Sequence, residues 1–129
     1  MPVTVLVKTR SKVDMVDITP LIQGEVSRAG LTEGLCVVYV PHTTAGITIN
    51  EGADPAVCLD IMAKLNEMVP QDPRYRHAEG NSDSHIKASM IGSSVTVLVE
   101  NERLVLGTWQ KIFFCEFDGP RSRKVYVRL

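Results

Sequence analysis

The segment Leu35-Cys36-Val37-Val38-Tyr39-Val40 constrains the fold most, because it is uninterruptedly apolar and rich in β-branched residues. Branching at Cβ stiffens χ1 and suits a pleated strand, and apolar side chains at every position predict a central strand covered on both faces. At six residues it is far short of the roughly 20 needed to cross a bilayer as a helix. The chain must therefore build a sheet around this segment and then cover it.

Much of the remaining sequence supplies that sheet. Val3 to Thr9 alternates with period two, and Val13 to Ile18, Ala45 to Asn50, Ser94 to Glu100, Arg103 to Leu106, Gln110 to Phe117 and Lys124 to Leu129 read as further strands. The short turns Asn101-Glu102 and Asp118-Gly119-Pro120 favour antiparallel neighbours. Two helices interrupt the pattern. Thr19-Pro20 and Asp54-Pro55 each pair a capping residue with a first-turn proline, and apolar stripes follow, predicting helices over Pro20 to Ala29 and Pro55 to Met68. Pro70 to Ser84 is polar and predicts a long surface loop, after which Ser84 is expected to cap a short helix from His85 to Ile91. The expected architecture is one α+β domain over residues 1–129: a large, mostly antiparallel sheet or sandwich with two main helices.

At 129 residues and 44% hydrophobic content, such a domain can bury a real core. Fourteen basic residues against 15 acidic ones give a formal charge of −1, and no electrostatic reason to expect a nucleic-acid or anionic-membrane partner. The N-terminus alternates with strand period at once and shows none of the marks of a signal peptide, which predicts a cytoplasmic protein. Cys36, Cys58 and Cys115 are far apart in apolar surroundings and read as reduced, buried thiols.

The chemistry concentrates on the three histidines. His42 leaves the apolar strand in Pro41-His42-Thr43-Thr44, and His77 and His85 bracket the end of the polar loop. Neutral imidazole is a common metal ligand, and three protein ligands with one open position is the usual catalytic zinc arrangement. Three imidazoles suit zinc or another transition metal better than magnesium, which prefers oxygen. Their spacing matches no strict motif, and three unrelated surface histidines would look the same. Glu51 and Asp83 are the candidate proton-transfer or orienting groups, whereas Asp54 has a sufficient role as a helix cap. Thr43, Thr44, Ser84 and Ser89 could hold phosphate oxygens, with a helix N-terminus near Ser84 adding backbone donors, and Arg121 could clamp an anion. Trp109 reads as packing rather than a substrate platform. No GxSxG elbow, P-loop or GxGxxG is present.

These residues recur in an ordered set: His42-Thr43-Thr44-Ala45 with Ile49-Asn50-Glu51, then Tyr75-Arg76-His77, Asp83-Ser84-His85-Ile86-Lys87-Ala88-Ser89, Gly107-Thr108-Trp109-Gln110 and Glu116-Phe117-Asp118-Gly119-Pro120-Arg121. In this the chain resembles the YjbQ-type family, often labelled secondary thiamine-phosphate synthase. The resemblance implies a compact α+β fold with a large antiparallel sheet, homotrimers, and a site containing His42, His77 and His85. It also implies an enzyme joining a thiazole phosphate to an aminopyrimidine pyrophosphate, with pyrophosphate released and a divalent metal, magnesium included, steadying the departing charge. The histidines themselves fit metal-dependent hydrolysis of a phosphoester or amide equally well, or a non-catalytic trimer that binds a metal or anion.

Overall fold

The computed structural model describes residues 2–129. Its elements run β1 (Val3–Lys8), β2 (Asp14–Asp17), α1 (Thr19–Ala29), β3 (Glu33–Tyr39), β4 (Ala45–Glu51), α2 (Pro55–Met68), α3 (Ser82–Ile91), β5 (Ser94–Glu100), β6 (Arg103–Leu104), β7 (Gln110–Glu116) and β8 (Ser122–Arg128). The strands form two sheets, ordered β1-β8-β3-β5-β6 and β2-β7-β4, and every paired neighbour is antiparallel. The expected α+β architecture is what forms. No helix is long and apolar enough to cross a membrane among the described residues.

Alternation along the strands decides where the core lies. Val5 and Val7, Cys36 and Val38, Val97 and Val99, and Val125 and Val127 point from the five-stranded sheet into one cluster with Ile47, Ile112 and Phe114 of the three-stranded sheet. Ile22 and Val26 of α1 close it. Each such side chain stabilises by about 1.5–3 kcal/mol when fully buried. The odd-numbered residues of β7, Phe113 and Cys115, point the other way and, with Phe117, pack under α2 and α3 beside Ala88, Cys58, Leu65 and Ile91.

Glu116 and Arg123 obey the same parity. Each falls two residues from an inter-sheet apolar side chain, Phe114 and Val125, so both charges are carried into the end of the core.

Three expectations need correction. The Leu35–Val40 segment is covered on one face only: Cys36, Val38 and Val40 are buried, while Leu35 is 54% and Tyr39 46% exposed. Leu35 stands opposite Leu98, itself 55% exposed, so the outer face of the five-stranded sheet carries an apolar row. Thr19 does not cap α1, because its hydroxyl accepts the Ile112 amide at 2.8 Å; Asp17 accepts the Thr19 amide instead. Helix α3 begins at Ser82 rather than His85, since Ser84 turns inward to donate to the Phe117 carbonyl at 2.6 Å. Asp54 caps α2 as expected, accepting from the Ala56 amide at 2.9 Å.

Candidate functional site

Strand β3 stops at Tyr39, opposite Tyr126 of β8, so the amide of Lys124 lies beyond the ladder between the two strands. An amide left without a ladder partner at the end of a strand pair takes another acceptor. His42, in the connection to β4, provides it: Nε2 accepts the Lys124 N–H at 3.0 Å. That bond fixes the neutral tautomer, since a ring whose Nε2 lone pair is engaged carries its proton on Nδ1. Burial and the neighbouring Arg123 guanidinium both hold the His42 pKa below the ordinary imidazole value, which reinforces the neutral form.

His42 opens onto a cavity of about 780 Å³, and His77 and His85 line the same cavity. His77 comes from the loop before α3 and His85 from the second turn of that helix; their rings meet edge to face with centroids 5.2 Å apart. The structure therefore brings all three histidines to one space. Thr43, Thr44 and Arg121 line it too, with Glu79, Asn81, Asp118 and Arg123.

The floor is a buried ion pair. Glu116 accepts from Arg123 Nε at 2.9 Å and from Arg123 Nη2, from the Thr9 hydroxyl at 2.7 Å, and from the amides of Phe117 and Asp118. Burial alone would raise its pKa, but the Arg123, Thr9 and Asp118 hydrogen bonds outweigh that and hold it below the usual carboxylate value. Arg123 Nη2 also donates to Thr44 at 2.9 Å, so Thr44 is a buried prop of the floor more than a free hydroxyl. Gly119 makes this packing possible: a Cβ there would stand 2.6 Å from the Ser11 carbonyl and 2.8 Å from Thr9 Oγ1. Above the floor, Arg121 is held by Asp118 through its carbonyl at 2.7 Å and its carboxylate at 3.0 Å. Among the described residues, Nη1 of Arg121 and Nη1 of Arg123 make no hydrogen bond, which leaves each guanidinium with donors to spare.

Other sequence candidates lie elsewhere. Glu51 is at the end of β4 and accepts the Asp54 amide at 3.2 Å, bracing the entry to α2. Asp83 faces away from the histidines, to Lys12 and Lys87. Ser84 is buried on Phe117, and Ser89, which donates to the His85 carbonyl at 2.9 Å, borders an adjoining recess that His42 and His85 share. Glu116 and Arg123 were not singled out from sequence. The signal available was two charges at positions whose strand parity points inward.

The residues fit a metal in part. His77 and His85 stand side by side and could serve as a ligand pair, whereas His42 has its Nε2 committed to Lys124, and no group of three ligating side chains is set to hold an ion among the described residues.

Comparison with known proteins places the chain and its fold in a family. The chain matches the family described as UPF0047 protein YjbQ-like over residues 3–129. It belongs to that family. A UPF0047 protein of Methanocaldococcus jannaschii is 50% identical over 123 residues, covering 95% of this chain and 89% of that protein. The YugU protein of Bacillus subtilis, also UPF0047, is 48% identical over 127 residues, covering 98% of this chain and 96% of its own. The crystal structure of an uncharacterised YjbQ/UPF0047 protein from Clostridium acetobutylicum superposes with a TM-score of 0.95 at 51% identity, covering 98% of both chains.

Proposed function

We propose that the histidine cavity binds the phosphate of a small phosphorylated molecule and that the imidazoles carry the protons its reaction requires. The observation that carries this reading is the His42–Lys124 bond. It leaves Nδ1–H as a fixed donor on a neutral ring, in a cavity where Arg121 and Arg123 add charged donors and Thr43 a hydroxyl. Guanidinium groups match phosphate oxygens. His42, with its Nε2 lone pair committed to Lys124, donates a hydrogen bond from Nδ1 and keeps its proton, so proton transfer to a departing oxygen falls to His77 and His85.

Within that reading, the resemblance to secondary thiamine-phosphate synthases selects a reaction. A thiazole phosphate and an aminopyrimidine pyrophosphate would both present anionic oxygens to these donors, and released pyrophosphate would be steadied by the arginines. The closeness of His77 and His85 favours a second reading, in which the pair holds a transition metal such as zinc and the site hydrolyses a phosphoester or amide. Binding without turnover would make the protein a non-catalytic anion or metal module.

We also propose that three copies associate through the outer face of the five-stranded sheet, where Leu6, Leu35, Tyr39 and Leu98 stand exposed. Tyr39 belongs to both that face and the cavity, so assembly would enclose the site. Light scattering should give the mass of a trimer, and a monomer at micromolar concentration would contradict it.

The functional test is to supply both thiamine precursors, and separately a generic aryl phosphate, to protein with and without chelator. Metal-independent release of pyrophosphate that His42→Ala removes supports the first reading. Chelator-sensitive hydrolysis lost in His77→Ala and His85→Ala supports the second. Phosphate binding unchanged in all three variants rejects the site.

A further inference from the structure

Helix α3 has a second polar face. His85 and Ser89 look towards the histidine cavity and its recess, while Asp83 and Lys87, one turn apart, line a separate cavity of about 460 Å³ bounded by Lys12, Asn66 and Gln71. Asp83 is 1% and Lys87 2% exposed. Buried charges at this depth are normally fully paired.

Here the pairing is incomplete. Asp83 Oδ2 takes Lys12 Nζ at 3.3 Å and stands 3.9 Å from Lys87 Nζ. Asp83 Oδ1 is buried and has no hydrogen-bond partner. Lys87 Nζ donates to Asn66 Oδ1 at 2.7 Å. An ammonium has three donors, so Lys12 and Lys87 both retain unspent ones. The cavity thus combines an acceptor that lacks a donor with two cations facing a single carboxylate. It is also far larger than the roughly 30 Å³ share of one water, and within the range of small-molecule sites.

We propose that this cavity is a second binding site, distinct from the histidine cavity, for a small hydroxycarboxylate. The ligand's carboxylate neutralises the excess positive charge of Lys12 and Lys87, and its hydroxyl donates to Asp83 Oδ1. Both requirements are needed to choose the class. A simple amine would satisfy Oδ1 but meet two like charges, and a plain carboxylate would satisfy the lysines but leave Oδ1 orphaned.

Malate and succinate differ by that one hydroxyl, and titrating each into the ¹⁵N-labelled protein tests the assignment. Malate should shift amides around Lys12, Asn66, Gln71, Asp83 and Lys87, and succinate should bind at least about tenfold more weakly, because a site built to pair a hydroxyl rejects the analogue lacking it. Lys12→Met should weaken malate by a similar factor. Lys12 is 42% exposed at its side chain, so this variant keeps its fold where Lys87→Met could lose it. No binding up to about 10 mM, above the millimolar range of weak complexes, would overturn the proposal. So would equal affinity for both acids, indifference to Lys12→Met, or shifts confined to His42, His77 and His85.

Discussion

Glu116 and Asp83 are both buried carboxylates facing basic side chains, yet they are satisfied very differently. Glu116 has both oxygens occupied, by Arg123, Thr9 and two backbone amides. Asp83 has one oxygen engaged and one orphaned. A saturated pair holds a structure in place, whereas an unsaturated one has capacity left for something else. By that criterion Glu116 is the scaffold beneath the histidine cavity, and Asp83 is a binding group.

Substitution should expose the contrast. Glu116→Ala strands Arg123, which cannot shed its charge, and is expected to cost about 3–5 kcal/mol in a denaturant titration. Asp83→Ala removes an orphaned oxygen together with a partner, and leaves Lys87 on Asn66 and Lys12 free to turn to solvent. It should cost less, about 1–3 kcal/mol. Equal losses would remove the distinction between scaffold and binding group.

The pH dependence of stability sharpens it further. Glu116 has a folded pKa below its unfolded value, so its contribution is present above the unfolded carboxylate range and is lost as pH falls through the lowered folded value. His42 is also lowered, and its neutral form is the one the fold prefers. Its contribution is therefore present above the unfolded value of about 6.5 and is lost on acidification through the folded value. Stability should fall in two stages as pH drops. His42→Gln should flatten the first stage and leave the acid limb, and a two-stage profile that persists unchanged in that variant would contradict the His42 environment.

What could be read from the sequence follows from which interactions are local. Period-two alternation and the Asp54-Pro55 signal depend on near neighbours, so the strands and α2 fall within a residue or two of expectation. Thr19 and Ser84 carry the same capping chemistry but are claimed by Ile112 and Phe117, far away in the chain, and nothing local reveals that. The apolar Leu35–Val40 segment implied cover on both faces, and a single chain covers only one. The histidines were legible because polar loops and strand ends are where an imidazole faces a cleft. Glu51 and Asp83 share their neighbourhood in sequence but not in space: β4 carries Glu51 to its far end, and the turn of α3 points Asp83 away from His85. Arg123 lies 81 positions after His42 and reaches its cavity only through the pairing of β8 with β3.

The central claim is that His42, His77 and His85 form one anion site with His42 neutral and donating from Nδ1. With only three histidines in the chain, long-range ¹H–¹⁵N spectra of the imidazoles can follow each ring during a titration with inorganic phosphate. Near neutral pH His42 should appear as the Nδ1-protonated tautomer, and all three rings should shift with a single midpoint as phosphate is added. An Nε2-protonated His42, or rings that ignore phosphate or respond with separate midpoints, would contradict the account.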